Sequence, residues 1–349
     1  MIIALHSRIS SGWLIVVLCL FFTGCLPSSC RRIESRAVFP ADSLSRQIAA
    51  HIPVDTLALP TIITAPDLRF PRTVLFGNDD HIYVGDTEQN KIFIFPSEGA
   101  SHTSFTLPNT SFPWLVGWRN DSLVVFDPEN RQFHFVVDTS AVASLTVDHA
   151  PANSLQYALA AASGLYLKAV ATRDTTHYLW KLDRAGVPVQ ETVLYGSSWK
   201  YAGLLRESGN RLVSLSGFYP WALFWTEDLI EGPDTIRWWG FDSPMLRRTY
   251  AFEQGQGRGP PLITSAAAAA GELWFVLNQR AGWLRIDIYD RAGMIQYIFE
   301  EANPGYLKDF YPIDIAAKFN PDSSYHLAVA LRAPTPSIRV YQWTPPKKD

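Results

Sequence analysis

The residue types that most often carry out catalysis are present in this chain, but their spacing forms no common catalytic or metal-binding pattern. The eight histidines are scattered, and no two of them stand one or three residues apart, as zinc ligands on a strand or a helix do. The sequence also has no Gly-x-Ser-x-Gly elbow and no phosphate-binding Gly-Lys-Ser/Thr loop. We therefore predict no catalytic residue, no metal ligand and no cofactor, and favour a non-enzymatic role.

Acidic residues leave one catalytic alternative open. Asp309, Asp314 and Glu301 lie near one another in the chain, and carboxylates are the ligands that Ca²⁺ prefers. The alternative function is thus a metal-dependent hydrolase or lyase with its site at a central pore. Asp86 and Asp127, which each stand where a strand enters a turn, are instead expected to accept hydrogen bonds from backbone N–H groups.

The elements that would position these side chains recur along the chain. A short apolar run after a polar turn is followed by a second turn and a run rich in aromatic and β-branched residues. This pattern occurs six times, at intervals of 41 to 61 residues, beginning at Ile82, Leu123, Leu165, Leu212, Leu273 and Leu327. Further runs around each pair give four strands in about 40 to 50 residues, the size of a β-propeller blade. The sequence predicts an all-β fold, a six-bladed β-propeller with four-stranded antiparallel blades.

The last repeat lacks an outermost strand, because the prolines in residues 344–346 prevent another strand from following it. Residues 55–60 resemble residues 103–108, the expected outer strand of the first blade, and both segments end in Leu-Pro. We therefore expect residues 54–59 to supply the missing strand, so that an N-terminal strand closes the last blade.

Two motifs give this pattern a family likeness. Residues 82–92 read IYVGDTEQNKI and are similar to the strand–turn–strand motif of NHL repeats, and residues 255–260 form a Gly-rich link that ends in Pro. The chain resembles the NHL-like six-bladed propellers of bacterial envelope lipoproteins over roughly residues 54–343. That group includes binding scaffolds, lactonases and lyases, so the resemblance implies a propeller and no single activity.

A propeller would bring certain loops together on one face. The loops between blades and the loops between second and third strands share that face, and the residues expected there are mostly cationic or aromatic. Such side chains suit an anionic or carbohydrate ligand, or a protein partner. The candidate binding residues are Arg72, Trp114, Trp199, Lys200, Tyr219, Trp221, Arg258, Arg280, Asp309 and Tyr311.

The N-terminal residues form a targeting signal. Residues 13–22 are an apolar run too short to span a membrane and suited to a signal peptide, and Thr23-Gly24-Cys25 resembles a bacterial lipobox. We expect a signal peptide over residues 1–24, a lipidated Cys25, a flexible tether over residues 25–53 and the propeller over residues 54–349. The expected location is the cell envelope, at the outer membrane facing the periplasm, through a lipid anchor.

Composition limits the partners. Lys plus Arg number 30 and Asp plus Glu 33, so the formal charge is −3 and the chain lacks the basic field that nucleic-acid binding needs. All three cysteines lie within the first 30 residues, so no disulfide framework holds the body together. The sequence predicts an envelope-anchored propeller that binds a ligand, a protein or a carbohydrate, the metal-dependent enzyme remaining the alternative.

Overall fold

The structure is a computed structural model that describes residues 42–57, 59–96, 101–151, 153–279, 282–301 and 310–346. The predictions for residues 1–24, Cys25, Arg280 and Asp309 fall outside these residues. Among the described residues, no helix has both the length and the apolar character to cross a membrane.

Strands make up nearly all of the regular structure. In chain order the first strands are β1 Val54–Leu57, β2 Thr61–Ile63, β3 Pro71–Phe76, β4 Ile82–Asp86, β5 Lys91–Phe95, β6 Thr103–Phe105, β7 Trp114–Arg119, β8 Ser122–Asp127, β9 Gln132–Val137, β10 Ser140–Thr146, β11 Ser154–Ala161, β12 Gly164–Ala171, β13 Thr176–Leu182 and β14 Pro188–Tyr195. The remaining strands are β15 Leu205–Ser208, β16 Arg211–Leu215, β17 Trp221–Thr226, β18 Asp234–Arg237, β19 Ala267–Ala270, β20 Leu273–Leu277, β21 Arg285–Asp290, β22 Ile295–Glu301, β23 Tyr311–Phe319, β24 Tyr325–Ala333 and β25 Ser337–Trp343.

These strands form sheets whose neighbours are mostly consecutive antiparallel strands. Three sheets have four strands, in the orders β3-β4-β5-β6, β15-β16-β17-β18 and β2-β25-β24-β23. A fourth sheet is β19 to β22 with β1 added at its outer edge, and a fifth has eight strands in the order β10-β9-β8-β7-β11-β12-β13-β14. The fold is thus an all-β, propeller-like arrangement of mostly four-stranded antiparallel blades. Where six separate blades were predicted, the sheet count is lower because two meanders share one sheet.

The eight-stranded sheet joins its two meanders through a single residue pair. Gly117 of β7 and Ala160 of β11 pair in parallel, and no other pair links these strands. Gly117 has a φ of 139°, and a Cβ atom there would collide with the carbonyl oxygen of Ala160. Glycine is therefore required for this close approach of two backbones.

The innermost strands contact one another in chain order. β3 contacts β7, β7 contacts β11, and the series continues through β15, β19 and β23, which contacts β3 in turn. Large side chains fill the spaces between sheets, as the aromatic content predicts. Trp238, after β18, lies 5.9 Å from the Trp274 ring and 5.0 Å from the Tyr289 ring of the next sheet. Such rings bury a large apolar area between facing sheets.

The N-terminal closing strand is confirmed in kind but was placed on the wrong segment. Thr61–Ile63 pairs with β25 and completes the last sheet, whereas Val54–Leu57 runs parallel to β22 of the preceding sheet. The Leu-Pro ending shared with residues 103–108 marks where a strand stops and carries no information about its partner. The Trp343 indole N–H also donates to Asp55 Oδ2 over 3.0 Å, so both N-terminal strands hold the end of the chain.

Two short α-helices lie outside the sheets in the described part of the chain. α1 is Asp42–Ala49, inside the segment expected to be a tether, and its Ala49 packs in a cluster with Trp238, Phe241 and Leu246. The packed part of the chain therefore begins before residue 54. α2 is Leu246–Glu253, and it lies in the long interval between β18 and β19.

Candidate functional site

Six side chains at the centre, where the inner strands face one another, contact one another or the neighbouring strands. They come from five of the six inner strands and from β12. The inner strand β19 is the one that supplies no side chain to the group. We call this group the central cluster; it consists of Arg72, Trp114, Tyr157, Lys168, Arg206 and Asp314.

Arg72 and Trp114 occupy equivalent places in successive repeats, because each follows an aromatic–proline step at the start of an inner strand. The Thr73 hydroxyl accepts a hydrogen bond from the Leu115 N–H over 2.9 Å, which fixes the two strand starts beside each other. The Arg72 guanidinium carbon then lies 5.2 Å from the centroid of the Trp114 ring, within cation–π range.

Strand register also brings Tyr157 and Lys168 to the centre. Gly117 pairs with Ala160 on parallel strands, so Trp114 and Tyr157, three residues earlier on each strand, lie at one level. Their rings are 6.5 Å apart. Tyr157 is directly opposite Lys168 across β11 and β12, and the Lys168 Nζ atom lies 4.7 Å from the centroid of its ring.

Burial sets the charge of this pair. Lys168 is fully buried, and its Nζ donates to the Gly203 carbonyl oxygen at 2.6 Å and to Ser214 Oγ at 2.7 Å. Because no carboxylate offsets this burial, the pKa of Lys168 falls well below its usual value. Burial raises the pKa of Tyr157 to about 12, so the phenol stays protonated at neutral pH.

Arg206 and Asp314 form an ion pair between sheets that are not neighbours. Arg206 Nη2 donates to Asp314 Oδ1 at 2.5 Å, and its Nε donates to the Ala267 carbonyl oxygen of β19 at 3.0 Å. Asp314 Oδ2 accepts the Val74 N–H of β3 at 3.0 Å. Burial raises the pKa of Asp314, and the Arg206 charge acts in the opposite direction. The ion pair and its backbone hydrogen bonds therefore join four inner strands, β3, β15, β19 and β23.

The charges of the central cluster do not balance. Asp314 is its one carboxylate, and that carboxylate is held by Arg206. Arg72 is partly exposed and, within the described residues, has neither an ion pair nor a hydrogen-bond acceptor for its guanidinium. A guanidinium that is fixed in place and lacks an acceptor is suited to binding an anion.

The structure brings together only two of the ten predicted binding residues in this cluster, Arg72 and Trp114. Arg258 is exposed, and 39% of Tyr311 is exposed at the start of β23. Trp199 and Lys200 lie half-buried in a 3₁₀ turn, Ser198–Lys200, where the Trp199 ring meets Phe218 edge-on at 4.8 Å.

Tyr219 and Trp221 were expected on the exposed face, but the structure buries both. Tyr219 has no exposed surface and Trp221 retains 7%. Their rings stack 4.9 Å apart, and the Tyr219 hydroxyl donates to Glu253 Oε1 of α2. Helix α2 lies against this part of the chain. As placed, the two rings stabilise the packing of α2 and present no open face to a ligand.

Arginines engage two of the three acidic residues proposed for a pore metal, and the third, Asp309, lies outside the described residues. Asp314 pairs with Arg206, and Glu301 pairs with Arg339 and accepts the Tyr341 hydroxyl at 3.0 Å. A guanidinium already occupies the place that a cation would take at each carboxylate. Across the described ranges, no three His, Cys, Asp or Glu side chains are grouped as metal ligands. As placed, Asp314 and Glu301 do not fit a metal centre.

Asp86 and Asp127 act as predicted, as acceptors for backbone N–H groups at strand–turn junctions. Asp86 accepts four such groups at 2.6 to 2.9 Å, from Arg69, Phe70, Glu88 and Gln89. Asp127 accepts three at 2.8 to 3.2 Å, from Ser111, Glu129 and Asn130. Both carboxylates are fully buried, and their role is structural.

A groove of about 380 Å³ lies between β3 to β6 and the meander that starts at β7. It is lined by the turns that follow β3 and β7, whereas the central cluster lies toward the starts of these strands. Tyr83 and Trp118 meet edge to face in it at 5.0 Å, and Asp79 accepts the Tyr83 hydroxyl at 3.0 Å. The groove contains none of the predicted binding residues.

Three residues of the central cluster were missed by sequence reasoning, namely Tyr157, Lys168 and Arg206. Lys168 did leave a signal, because it is the one charged residue in β12, an otherwise apolar strand whose eight residues are all buried. A lysine can be buried in such a strand only where its amine donates hydrogen bonds to nearby acceptors. Arg206 left no comparable signal, since its partner is 108 residues away.

The fold is also found among solved structures. A streptogramin B lyase matches with a TM-score of 0.51 and 10% identity, over 82% of this chain and 87% of its own. A luciferin-regenerating enzyme matches with a TM-score of 0.52 and 12% identity, over 82% of this chain and 95% of its own. Both are β-propeller proteins. No family model and no curated protein sequence matches the chain. At such low identity the likeness shows the fold alone, a β-propeller.

Proposed function

We propose that this protein is a non-enzymatic binding module whose central cluster takes an anionic group of its ligand. The observation that carries this proposal is Arg72. Its guanidinium is held over Trp114, retains exposed surface, and has no acceptor among the described residues. The Trp114 ring lies against it and the Tyr157 ring lies next to Trp114, which favours a ligand with an apolar or ring-shaped body next to the anion.

The architecture around this site is proposed to be a six-bladed propeller of the NHL-like lipoprotein kind. Six inner strands contact one another in a closed series, and the eight-stranded sheet is divided by a link of one residue pair. Counting each of its meanders as a blade gives six. A crystal structure that displays another blade count would contradict this.

The proposed location is the outer membrane facing the periplasm, with Cys25 as the lipidated residue. The Thr23-Gly24-Cys25 motif after an apolar run supports this. Expression in a bacterial host should give a membrane-bound form of the wild type and an unlipidated form of Cys25→Ser. Identical fractionation, with masses of the two mature chains that differ only by the Cys-to-Ser change itself, would contradict the anchor.

Anion binding can be tested by thermal stabilisation. A ligand present at five times its Kd stabilises the folded state by about 1 kcal/mol, roughly 2 °C for a chain of this size. We expect acetate or inorganic phosphate at 50 mM to raise the Tm of the wild type relative to chloride at equal ionic strength, and Arg72→Met to abolish the rise.

The matched control is Arg237→Met. Arg237 also stacks over a tryptophan, Trp239, at 6.0 Å, but lies on the outer strand β18. This variant should keep the anion-dependent rise. Equal rises in the wild type and in Arg72→Met would overturn the proposed function.

A further inference from the structure

We propose, resting on the proposed function, that the anionic group is a carboxylate, held by the Arg72 guanidinium and by the Tyr157 phenol beside Trp114. The two donors come from β3 and β11, and Trp114 of β7 contacts both of them. The ligand is therefore a carboxylate-bearing molecule. Its carboxylate contacts the guanidinium, and the rest of the molecule extends away from Arg72.

The number of available charges favours a monoanion. Arg206 is engaged by Asp314 at 2.5 Å, and Lys168 is fully buried and donates to Gly203 and Ser214. Arg72 thus offers one positive charge. A carboxylate matches it, whereas a phosphate group carries about −1.5 to −2 at neutral pH and would keep excess negative charge near Asp314.

The donor geometry also suits a carboxylate. A guanidinium presents two parallel N–H donors that match two carboxylate oxygens, and its contact with Trp114 limits its rotation. The site needs only one planar, two-oxygen acceptor to use this fork. A tetrahedral phosphate has further oxygens for which the described residues offer no additional free cation.

Tyr157 has a proton to donate. Within the described residues its hydroxyl donates to no acceptor, and its ring lies 6.5 Å from that of Trp114. The phenol's own proton is therefore available to an outside acceptor.

The experiment compares sodium acetate and inorganic phosphate at pH 7 and equal ionic strength, with apparent Kd values from Tm titrations. We expect acetate to bind the wild type at least about 10-fold more tightly than phosphate. Arg72→Lys, which keeps the charge and loses the fork, should weaken acetate binding about 10-fold. Tyr157→Phe, which removes one hydrogen bond, should weaken it about 3- to 10-fold, and Arg237→Met should change neither anion.

The outcomes separate the two proposals. Phosphate binding that equals or exceeds acetate binding and still depends on Arg72 overturns the carboxylate and leaves the anion-binding function intact. Acetate binding that is unchanged in both Tyr157→Phe and Arg72→Lys also overturns it. If neither anion depends on Arg72 in any variant, both proposals fail. Should Tyr157→Phe melt too low for titration, the Arg72→Lys result decides.

Discussion

Arg72 and Arg206 are the second residues of two inner strands, β3 and β15, yet their surroundings have made them opposite kinds of residue. Arg206 finds Asp314, a carboxylate that is 2% exposed, and closes a contact between distant sheets. Arg72 finds the ring of Trp114 and keeps its donors open. The two arginines differ because the neighbouring inner strands offer a carboxylate to Arg206 and an aromatic ring to Arg72.

Removing the Arg206 charge should have the largest effect on stability. Arg206→Met leaves Asp314 buried without a counter-charge, and losing one partner of a buried ion pair costs about 3–5 kcal/mol. We expect a fall of that size in the free energy of unfolding at pH 7, measured by urea denaturation. Because burial already raises the pKa of Asp314, the folded state of the variant holds its proton more tightly than the unfolded chain, and the loss should shrink as pH falls toward 4.

Arg206→Met/Asp314→Asn is the control for this pair. Removing both charges should restore most of the lost stability, since the neutral amide needs no counter-ion. A single variant that costs less than about 1 kcal/mol, or a double variant no better than the single one, would contradict the assigned role of the ion pair.

Replacing Lys168 should have an intermediate effect on stability, and this effect should depend on pH. Its pKa is lowered in the folded protein by burial, while in the unfolded chain it returns toward 10.5. Between these two pKa values the lysine is protonated in the unfolded chain and neutral in the folded protein. Its contribution to the free energy of unfolding therefore rises with pH. From pH 7 to 10 the stability of the wild type relative to Lys168→Met should increase, by at most about 1.4 kcal/mol per pH unit.

Lys181→Met provides the matched comparison for Lys168. Lys181 also lies over a tyrosine ring, that of Tyr166 at 5.7 Å, but is only half-buried. The pH dependence that is specific to Lys168 is therefore the difference between the two variants over the same range. A constant difference for Lys168→Met across pH 7 to 10 would show that the buried amine does not titrate as inferred.

How far the sequence could foresee these features depends on the distance between partners. Asp86 and Asp127 were assigned correctly because each carboxylate accepts N–H groups two and three residues later, inside a turn that the sequence displays. The strand repeat was likewise visible, since alternation and turn residues are local. These features need no knowledge of the rest of the molecule.

Partners that are far apart in the chain could not be foreseen in the same way. The closing strand was assigned to residues 54–59, because similarity between two segments cannot reveal that Thr61–Ile63 pairs with residues 338–340. Tyr219 was expected on the exposed face because it lies in a loop between two strands, but α2 covers it. In both cases the outcome is set by tertiary contacts that local pattern does not encode.

Removing the Arg72 charge should have the smallest effect on stability. Arg72→Met removes a cation–π contact at a partly exposed site and leaves no buried charge behind. Such contacts contribute about 0.5–1 kcal/mol, so the free energy of unfolding at pH 7 should fall by less than about 1 kcal/mol in the same urea measurement. A loss as large as that of Arg206→Met would mean that Arg72 is a packing residue as well, and the distinction between a closed and an open arginine would disappear. A small loss combined with lost anion binding would show that this position of β3 is kept for a ligand.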